Sequence, residues 1–370
     1  MEPRVVSETT VSPRSTSFQC SNCSKDEAEN TCSRCNAVKY CSKECQKDHL
    51  ENHKRHCNEI NKYSNQVEIF AKPLREYDDF GGMHNLFEDS VGRFWRLVDP
   101  RNYCRFRNEL CIALHDCAVY NNSRLALELS VEHMLDLVWL NRGDNLGVRS
   151  FIPWILCVLG KTQEAYDFLK WWYVSDLDGR YDWSNLELPH LNLKGEDIFE
   201  DLSNLSLEKY YDLYLIVGLF FLKYKVLLEL EAKKSSYEAF LLGTHARVGR
   251  DSHIQKLRGV STVLYLIKQL VSPDTKKIKI LKDHLKEIAT LIDKRRKDLI
   301  PGLLNSPKIE FQRGPRYTIF HCESIHWEAT PGIHSCLKDL YVGLHGKEKA
   351  EKNIRELSKT ETSCYDWVLY

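Results

Sequence analysis

The sequence predicts an all-α protein with a small cysteine-rich module ahead of its helices. Seven of the 14 cysteines lie between Cys20 and Cys57, in a polar, lysine-rich stretch with few aliphatic residues. From Tyr103 onward, apolar residues recur at intervals of three and four, which is the spacing of one face of a helix. No strand-rich region is visible. We therefore expect one compact module in front and a helical region behind it.

The composition is that of an ordinary globular chain. The 370 residues contain 52 Lys plus Arg and 52 Asp plus Glu, so the formal net charge is zero. A nucleic-acid binder usually carries a basic excess, which is missing here. The longest apolar run, 213–222, is shorter than the roughly 20 residues of a membrane span, and residues 1–19 lack the apolar stretch of a secretory signal. We therefore expect a cytoplasmic or nuclear protein that binds neither membranes nor nucleic acid.

The cysteine cluster has the spacing of a metal site. In a reducing compartment disulfides are rare, so clustered cysteines indicate metal ligands first. Four ligand pairs follow one another along the chain: Cys20 and Cys23, Cys32 and Cys35, Cys41 and Cys45, His53 and Cys57. Zinc takes four such ligands in a tetrahedron, so eight ligands make two closed sites. The spacing leaves a sequential and an interleaved pairing open.

The segment 20–57 resembles the MYND zinc finger, with Tyr40 before the fifth ligand and Gln46 after the sixth. The resemblance implies two structural zinc ions held by interleaved ligands. Site 1 would consist of Cys20, Cys23, Cys41 and Cys45, and site 2 of Cys32, Cys35, His53 and Cys57. A module of about 40 residues rarely folds by burial alone, so zinc would supply its folding energy. His49 and His56 are expected to stay outside this complete ligand set.

The resemblance further implies a partner, because MYND fingers bind short proline-containing peptides of other proteins. The positions that line the peptide groove in the family correspond here to Ser33, Gln46 and Leu50. Leu50 departs from the family pattern, in which a tryptophan offers a flat ring to proline. Two outcomes remain: Leu50 contacts a peptide, or it packs against the rest of the chain. In either case we expect protein or peptide partners.

Residues 103–345 are predicted to be helical and resemble a tetratricopeptide-like array. Asn121–Ser123 has the composition of a turn and a helix N-cap, and 160–162 separates two apolar helix faces as in a repeat hairpin. Pro153 should kink the first of these helices or move its start. Residues 213–230 are apolar nearly all round, as a buried helix would be. A MYND finger followed by such an array resembles a group of proteins described mainly from fungi.

The expected organisation has five parts. They are a disordered tail at 1–16, the finger at 17–60, a connecting segment at 61–102, the helical region at 103–345 and a C-terminal tail at 346–370. The expected function is a zinc-binding adaptor or scaffold without enzymatic activity. One alternative is a protein lysine methyltransferase, because some MYND fingers lie within SET domains, and residues 334–336 faintly echo a SET motif. The other alternative is a transcriptional regulator of the corepressor type.

Overall fold

The computed structural model describes residues 18–79, 81–175, 181–209, 212–248, 274–305 and 330–357. Within these ranges helices dominate, and the strands form two short hairpins. The chain divides into two compact units, Met1–Val148 and Arg149–Tyr370. The predicted all-α class with a small module at the N-terminal end is confirmed. None of the described helices is both long and apolar enough to cross a membrane.

The first unit combines the cysteine-rich module with a set of packed helices. In chain order its described elements are β1 (Asn30–Thr31), β2 (Lys39–Tyr40), α1 (Lys43–Asp48), α2 (Leu50–Arg75), β3 (Tyr77–Asp79), β4 (Gly82–His84), α3 (Leu86–Asp89), α4 (Pro100–Tyr120) and α5 (Arg124–Leu140). Helix α4 contacts both α2 and α5. Its buried residues, which include Leu110, Leu114 and Cys117, form the centre of the core of this unit.

The turn between α4 and α5 has the structure that its sequence predicts. Asn122 closes the turn in the left-handed region, with a φ of +47°. Ser123 then caps α5, because its hydroxyl accepts a hydrogen bond from the Ala126 amide. Serine is favoured there since its oxygen satisfies an amide that has no partner within the helix. The predicted turn and cap are confirmed.

The boundaries of the parts differ from the expected ones. The expected limit of the finger at residue 60 falls inside α2, and the segment 61–102 is a packed part of the unit rather than a connector. It holds the rest of α2, a strand hairpin, α3 and the start of α4. Most residues of α2 between 51 and 69 are polar, so the helix gives little periodic signal. Packing on α4 stabilises it instead, as is usual for helices in proteins.

The second unit is built from helices in the ranges described. In chain order they are α6 (Ile152–Val158), α7 (Thr162–Ser175), α8 (Leu213–Val248), α9 (Thr275–Arg295), α10 (Leu299–Asn305), α11 (Ile333–His345) and α12 (Lys347–Leu357). Helix α8 contacts α6, α7 and α9. Its residues 215–222 are buried, as the sequence predicts. Gly218 faces Trp154 of α6, and a Cβ atom there would lie 3.4 Å from Nε1 of that side chain, which is a van der Waals contact.

Two further expectations concern this unit. Helices α6 and α7 form the predicted hairpin, and Pro153 lies in the first turn of α6, where its missing amide costs nothing. Proline thus moves the helix start rather than kinking the helix. The expected C-terminal tail contains α12, in which Ala350 is buried. The rest of that tail, 358–370, and the expected disordered tail, 1–16, lie outside the described residues. The likeness to a tetratricopeptide array stays a prediction.

Candidate metal centre

The first group of ligand atoms, called quartet 1 below, belongs to Cys20, Cys23, Cys41 and Cys45. Its four sulfur atoms all lie within 4.8 Å of one another. The sulfurs of Cys23 and Cys41 are 3.6 Å apart, and those of Cys41 and Cys45 are 3.5 Å apart. A tight turn brings the first pair together, with the Ser24 amide donating to the Cys20 carbonyl at 2.8 Å. Helix α1 then positions Cys45 next to Cys41.

The second group, quartet 2, consists of Cys32, Cys35, His53 and Cys57, whose ligand atoms also lie within 4.8 Å of one another. The sulfurs of Cys32 and Cys57 are 3.9 Å apart, and Nε2 of His53 lies 3.4 Å from the Cys35 sulfur. A turn after β1 supplies the cysteine pair, with the Asn36 amide donating to the Cys32 carbonyl. Positions 53 and 57 are about one turn apart on α2, so both side chains face the same way. All four residues are buried.

The distances in both quartets fit metal coordination rather than covalent pairing. A disulfide joins its sulfurs at about 2.05 Å, far below the observed separations. A tetrahedral zinc ion, bonded to sulfur at about 2.3 Å and to nitrogen at about 2.05 Å, spaces its ligand atoms about 3.5 to 3.8 Å apart. The four separations given above lie between 3.4 and 3.9 Å, and all ligand atoms of each quartet lie within 4.8 Å of one another. Both quartets are therefore candidate four-ligand metal sites, and the pairing that the structure shows is the interleaved one.

The surroundings shift the thiols of each quartet in opposite directions. The side-chain hydrogen bond with Cys32 raises the pKa of Cys35, the one with Cys45 raises the pKa of Cys41, and burial raises the pKa of Cys57. One thiol in each quartet is instead shifted toward the thiolate, which is the form that binds metal. The pKa of Cys32 is lowered to about 3 by hydrogen bonds from the side chains of Cys35 and then His53, against the opposing effect of burial. Burial acts to raise the pKa of Cys20, but backbone amides of its own turn and of Cys41 donate to it and lower the pKa to about 6. Each quartet therefore contains a thiol that is prepared for metal before any ion binds.

Two further histidines of the module lie outside both quartets. The hydroxyl of Tyr40 is 3.2 Å from Nδ1 of His49, whose ring stacks on that of His53 with centroids 6.2 Å apart. Tyr40 is fully buried, so this pair forms part of the small core of the module. His56 is buried too, and its Nδ1 lies 3.2 Å from the side-chain amide of Asn121.

Residues 20–57 match the family model of the MYND finger. This segment is a MYND finger. The match begins at the first ligand of quartet 1 and ends at the last ligand of quartet 2, so it contains both sites. No significant match to the chain was found among curated proteins or among solved structures. The MYND finger is therefore the part of the chain that the comparisons identify.

The three groove positions implied by the resemblance fall in different settings on the MYND finger. Ser33 is exposed in the turn of quartet 2, and Gln46 is half-buried on α1. Leu50 is the first residue of α2 and is 51% exposed, so about half of its surface is open to solvent. Because α1 ends before His49, Gln46 and Leu50 lie on two successive helices rather than on one.

Sequence reasoning missed a contact between the MYND finger and the α4–α5 turn. The Ser123 hydroxyl donates to the Ala37 carbonyl at 2.6 Å, across 86 positions of sequence. The ring of His56 stacks on that of Tyr120, with centroids 5.3 Å apart and planes 11° from parallel. The one available signal was the turn composition of 121–123, which predicts an exposed joint rather than a buried contact.

The other residues that the sequence singled out form no comparable site. His334, Ser335 and Cys336 lie in the first turn of α11, where burial raises the pKa of Cys336 to about 11. Cys111, His115 and Cys117, which are also close in sequence, are fully buried in the core of the first unit. In the part of the chain that the structure describes, no third group of three or more metal-ligating side chains comes together.

Proposed function

We propose that the protein is a non-enzymatic adaptor whose MYND finger holds two structural zinc ions and binds short proline-containing peptides of partner proteins. The observation that carries the proposal is the pair of closed quartets within the matched segment. Each quartet offers four protein donors, which fill a tetrahedral zinc ion and leave no position for a reacting water. Zinc in this finger would therefore maintain a shape rather than catalyse a reaction.

Zinc would supply the stability that so small a segment cannot gain from burial. Apart from Tyr40 and the ligands, the buried apolar residues of the finger are small, as Ala28, Ala37 and Val38 illustrate. A module of this size seldom stabilises itself with a hydrophobic core alone. A structural zinc ion contributes on the order of 10 kcal/mol at neutral pH. Because thiolate ligands must stay reduced, we propose a cytoplasmic or nuclear location.

The exposed apolar surface at Leu50 supports the peptide-binding part of the proposal. A leucine that is half exposed at the start of a helix offers an apolar contact to a proline ring. Gln46 and Ser33 carry an amide and a hydroxyl that can hydrogen-bond to a peptide backbone. Leucine lacks the aromatic face that stacks on proline, so we expect weaker binding than a tryptophan would give.

Native mass spectrometry of the full chain tests the metal content. We expect two zinc ions per chain. The variants Cys41→Ala and Cys57→Ala, which each open a different quartet, should each retain one ion. A single ion in the unmodified chain, or none, would refute the proposed pair of sites.

Fluorescence polarisation with short proline-containing peptides tests the binding surface. Leu50→Asp should abolish binding, and Leu50→Trp should tighten it by about five-fold, since an aromatic contact adds on the order of 1 kcal/mol. Ile69→Asp is the matched control, because Ile69 lies on the same helix, beyond the finger, and is 59% exposed. Equal binding by the two aspartate variants would place the peptide elsewhere.

A methyl-transfer assay tests the absence of enzymatic activity. Full-length protein incubated with labelled S-adenosylmethionine and histones should transfer no label. Transfer that is lost in His334→Ala would overturn the adaptor function in favour of a SET-like activity.

A further inference from the structure

The two arms of quartet 2 are contacted by the same part of the helical region. One arm is the turn that carries Cys32 and Cys35, and it continues directly into Ala37. The Ala37 carbonyl accepts the 2.6 Å hydrogen bond from the Ser123 hydroxyl, and both residues are buried. This contact therefore attaches the cysteine arm to the residue that begins α5.

The other arm is the first part of α2, which carries His53 and Cys57. His56 lies between these ligands and is buried. Its Nδ1 atom is 3.2 Å from the side-chain amide of Asn121, and its ring stacks on Tyr120. The same Asn121 amide donates to the Cys117 carbonyl at 3.1 Å, so it is anchored to α4. The histidine arm is thus attached to the residues that end α4.

We infer that the α4–α5 turn, residues Tyr120–Ser123, is an external clamp on the second metal site. The inference rests on the proposed zinc binding. The turn touches no ligand of quartet 2 in these contacts, but it holds Ala37, two positions after one ligand pair, and His56, which lies within the other pair. Fixing both arms reduces the freedom that they would gain if the metal left.

The clamp predicts that the two quartets release zinc at different rates. Groups that hydrogen-bond directly to metal ligands typically change metal affinity by about 10- to 100-fold. The turn holds the two arms rather than the ligands themselves, so we expect an effect at the lower end of that range. Zinc in quartet 2 should therefore leave more slowly than zinc in quartet 1. Asn121 and Ser123 are positioning residues for the second site, although they lie more than 60 positions beyond its last ligand.

Release of zinc from the full chain to a chromophoric chelator tests the clamp. The unmodified protein should release its two ions in two phases of equal size. The slow phase belongs to quartet 2 if it is the one that persists in Cys41→Ala. In Ser123→Gly and in Asn121→Ala the slow phase should accelerate by about ten-fold while the fast phase stays unchanged. Glycine is chosen at 123 because it remains an acceptable N-cap, so the start of α5 is retained.

Ser130→Ala is the matched control. The Ser130 hydroxyl is buried and donates to the Cys111 carbonyl at 2.8 Å. Like Ser123, it is a buried serine that donates to a distant backbone carbonyl, but its hydrogen bond joins α5 to α4 rather than to the finger. Its slow phase should match that of the unmodified chain. Far-UV circular dichroism shows whether each variant is folded. If only one of Ser123→Gly and Asn121→Ala is folded, its release rate alone tests the clamp.

Three results would contradict either the clamp or the proposed function, and each result identifies which of the two has failed. If quartet 2 releases its ion before quartet 1 in the unmodified chain, the clamp does not exist. If the folded variants release zinc at the rate of Ser130→Ala, the turn does not position the site. If the unmodified chain holds no zinc at all, the proposed function itself fails.

Discussion

Quartet 1 and quartet 2 have nearly the same donors but different surroundings. Quartet 1 leaves Cys23 exposed and its last two ligands half-buried, whereas every ligand of quartet 2 is buried. Quartet 2 takes His53 and Cys57 from α2, the helix that packs on α4. Because the donors are so similar, the two sites differ mainly in which parts of the chain they connect. The position of a site in the fold, rather than the chemistry of its ligands, therefore determines which segments the metal would stabilise. An ion in quartet 1 would join the turn at 20–23 to Cys41 and Cys45 within the finger. An ion in quartet 2 would join the turn at 32–35 to α2, the helix that packs on α4.

Cys57→Ala should have the largest effect, because it opens quartet 2 on the helix that joins the finger to the rest of the unit. The variant should lose one zinc ion, and the free energy of unfolding of the first unit should fall by on the order of 4 kcal/mol. Thermal unfolding followed by circular dichroism measures the loss. An unfolding transition identical to that of the unmodified chain would show that quartet 2 has no connecting role.

The second unit offers a contrast, because its most buried polar group is a cation. Lys223 on α8 is fully buried, and its Nζ donates to the Ile198 carbonyl. Burial lowers the pKa of Lys223 to about 8, against the attraction of Glu200 and Asp197. The folded chain therefore releases this proton near pH 8, whereas the unfolded chain keeps it to about pH 10.5. At this group the unfolded state binds more protons between these values, so the contribution of Lys223 to stability rises with pH across that window.

Lys223→Met should remove that rise. Between pH 8 and pH 10.5 the unmodified chain should gain on the order of 3 kcal/mol of stability relative to the variant. Urea unfolding at the two pH values measures the difference. Lys225→Met, two positions along the same helix, should keep the rise because Lys223 is intact. A rise that survives in Lys223→Met would assign the pH dependence to another group.

Cys41→Ala should have a smaller effect than Cys57→Ala. Opening quartet 1 should remove one zinc ion and lower the free energy of unfolding by about 2 kcal/mol, because the site is part exposed and its four ligands lie outside α2. In hydrogen exchange, residues 20–45 should lose protection while α2 and α4 keep theirs. Loss of protection in α2 as large as in Cys57→Ala would erase the distinction between the quartets.

Ser42→Ala should have the smallest effect of the series. The Ser42 hydroxyl accepts a hydrogen bond from the Cys45 amide at 3.2 Å and caps α1. Its loss should cost about 1 kcal/mol, which is typical of an N-cap. Zinc release from quartet 1 should become faster, and release from quartet 2 should not change. An equal acceleration of both phases would mean that the quartets are not independent.

Much of the site and of the fold class could be predicted from the sequence, because the signals are local. Ligand pairs such as Cys32 and Cys35 recur at fixed short spacings, and the N-cap at Ser123 is read from neighbouring residues. The buried stretch of α8 follows from an unbroken apolar run. Each of these predictions depends on residues within a few positions of one another.

The remaining features depend on contacts between distant parts of the chain. Helix α2 continues to Arg75 through a polar stretch because it packs on α4, which no local pattern reveals. The attachment of Ala37 to Ser123 spans 86 positions. Local signals can also mislead: a proline and a glycine at 301–302, which commonly follow a helix end, do not mark the end of α9, which stops at Arg295. Those two residues lie inside α10 instead.

Hydrogen exchange of the full chain before and after removal of metal by a chelator tests the central claim most directly. We predict that metal removal abolishes protection across residues 20–57 and reduces it in α2 and in the α4–α5 turn. The second unit should exchange as before. Unaltered protection of residues 20–57 in the metal-free protein would contradict the claim that bound metal maintains the structure of the finger.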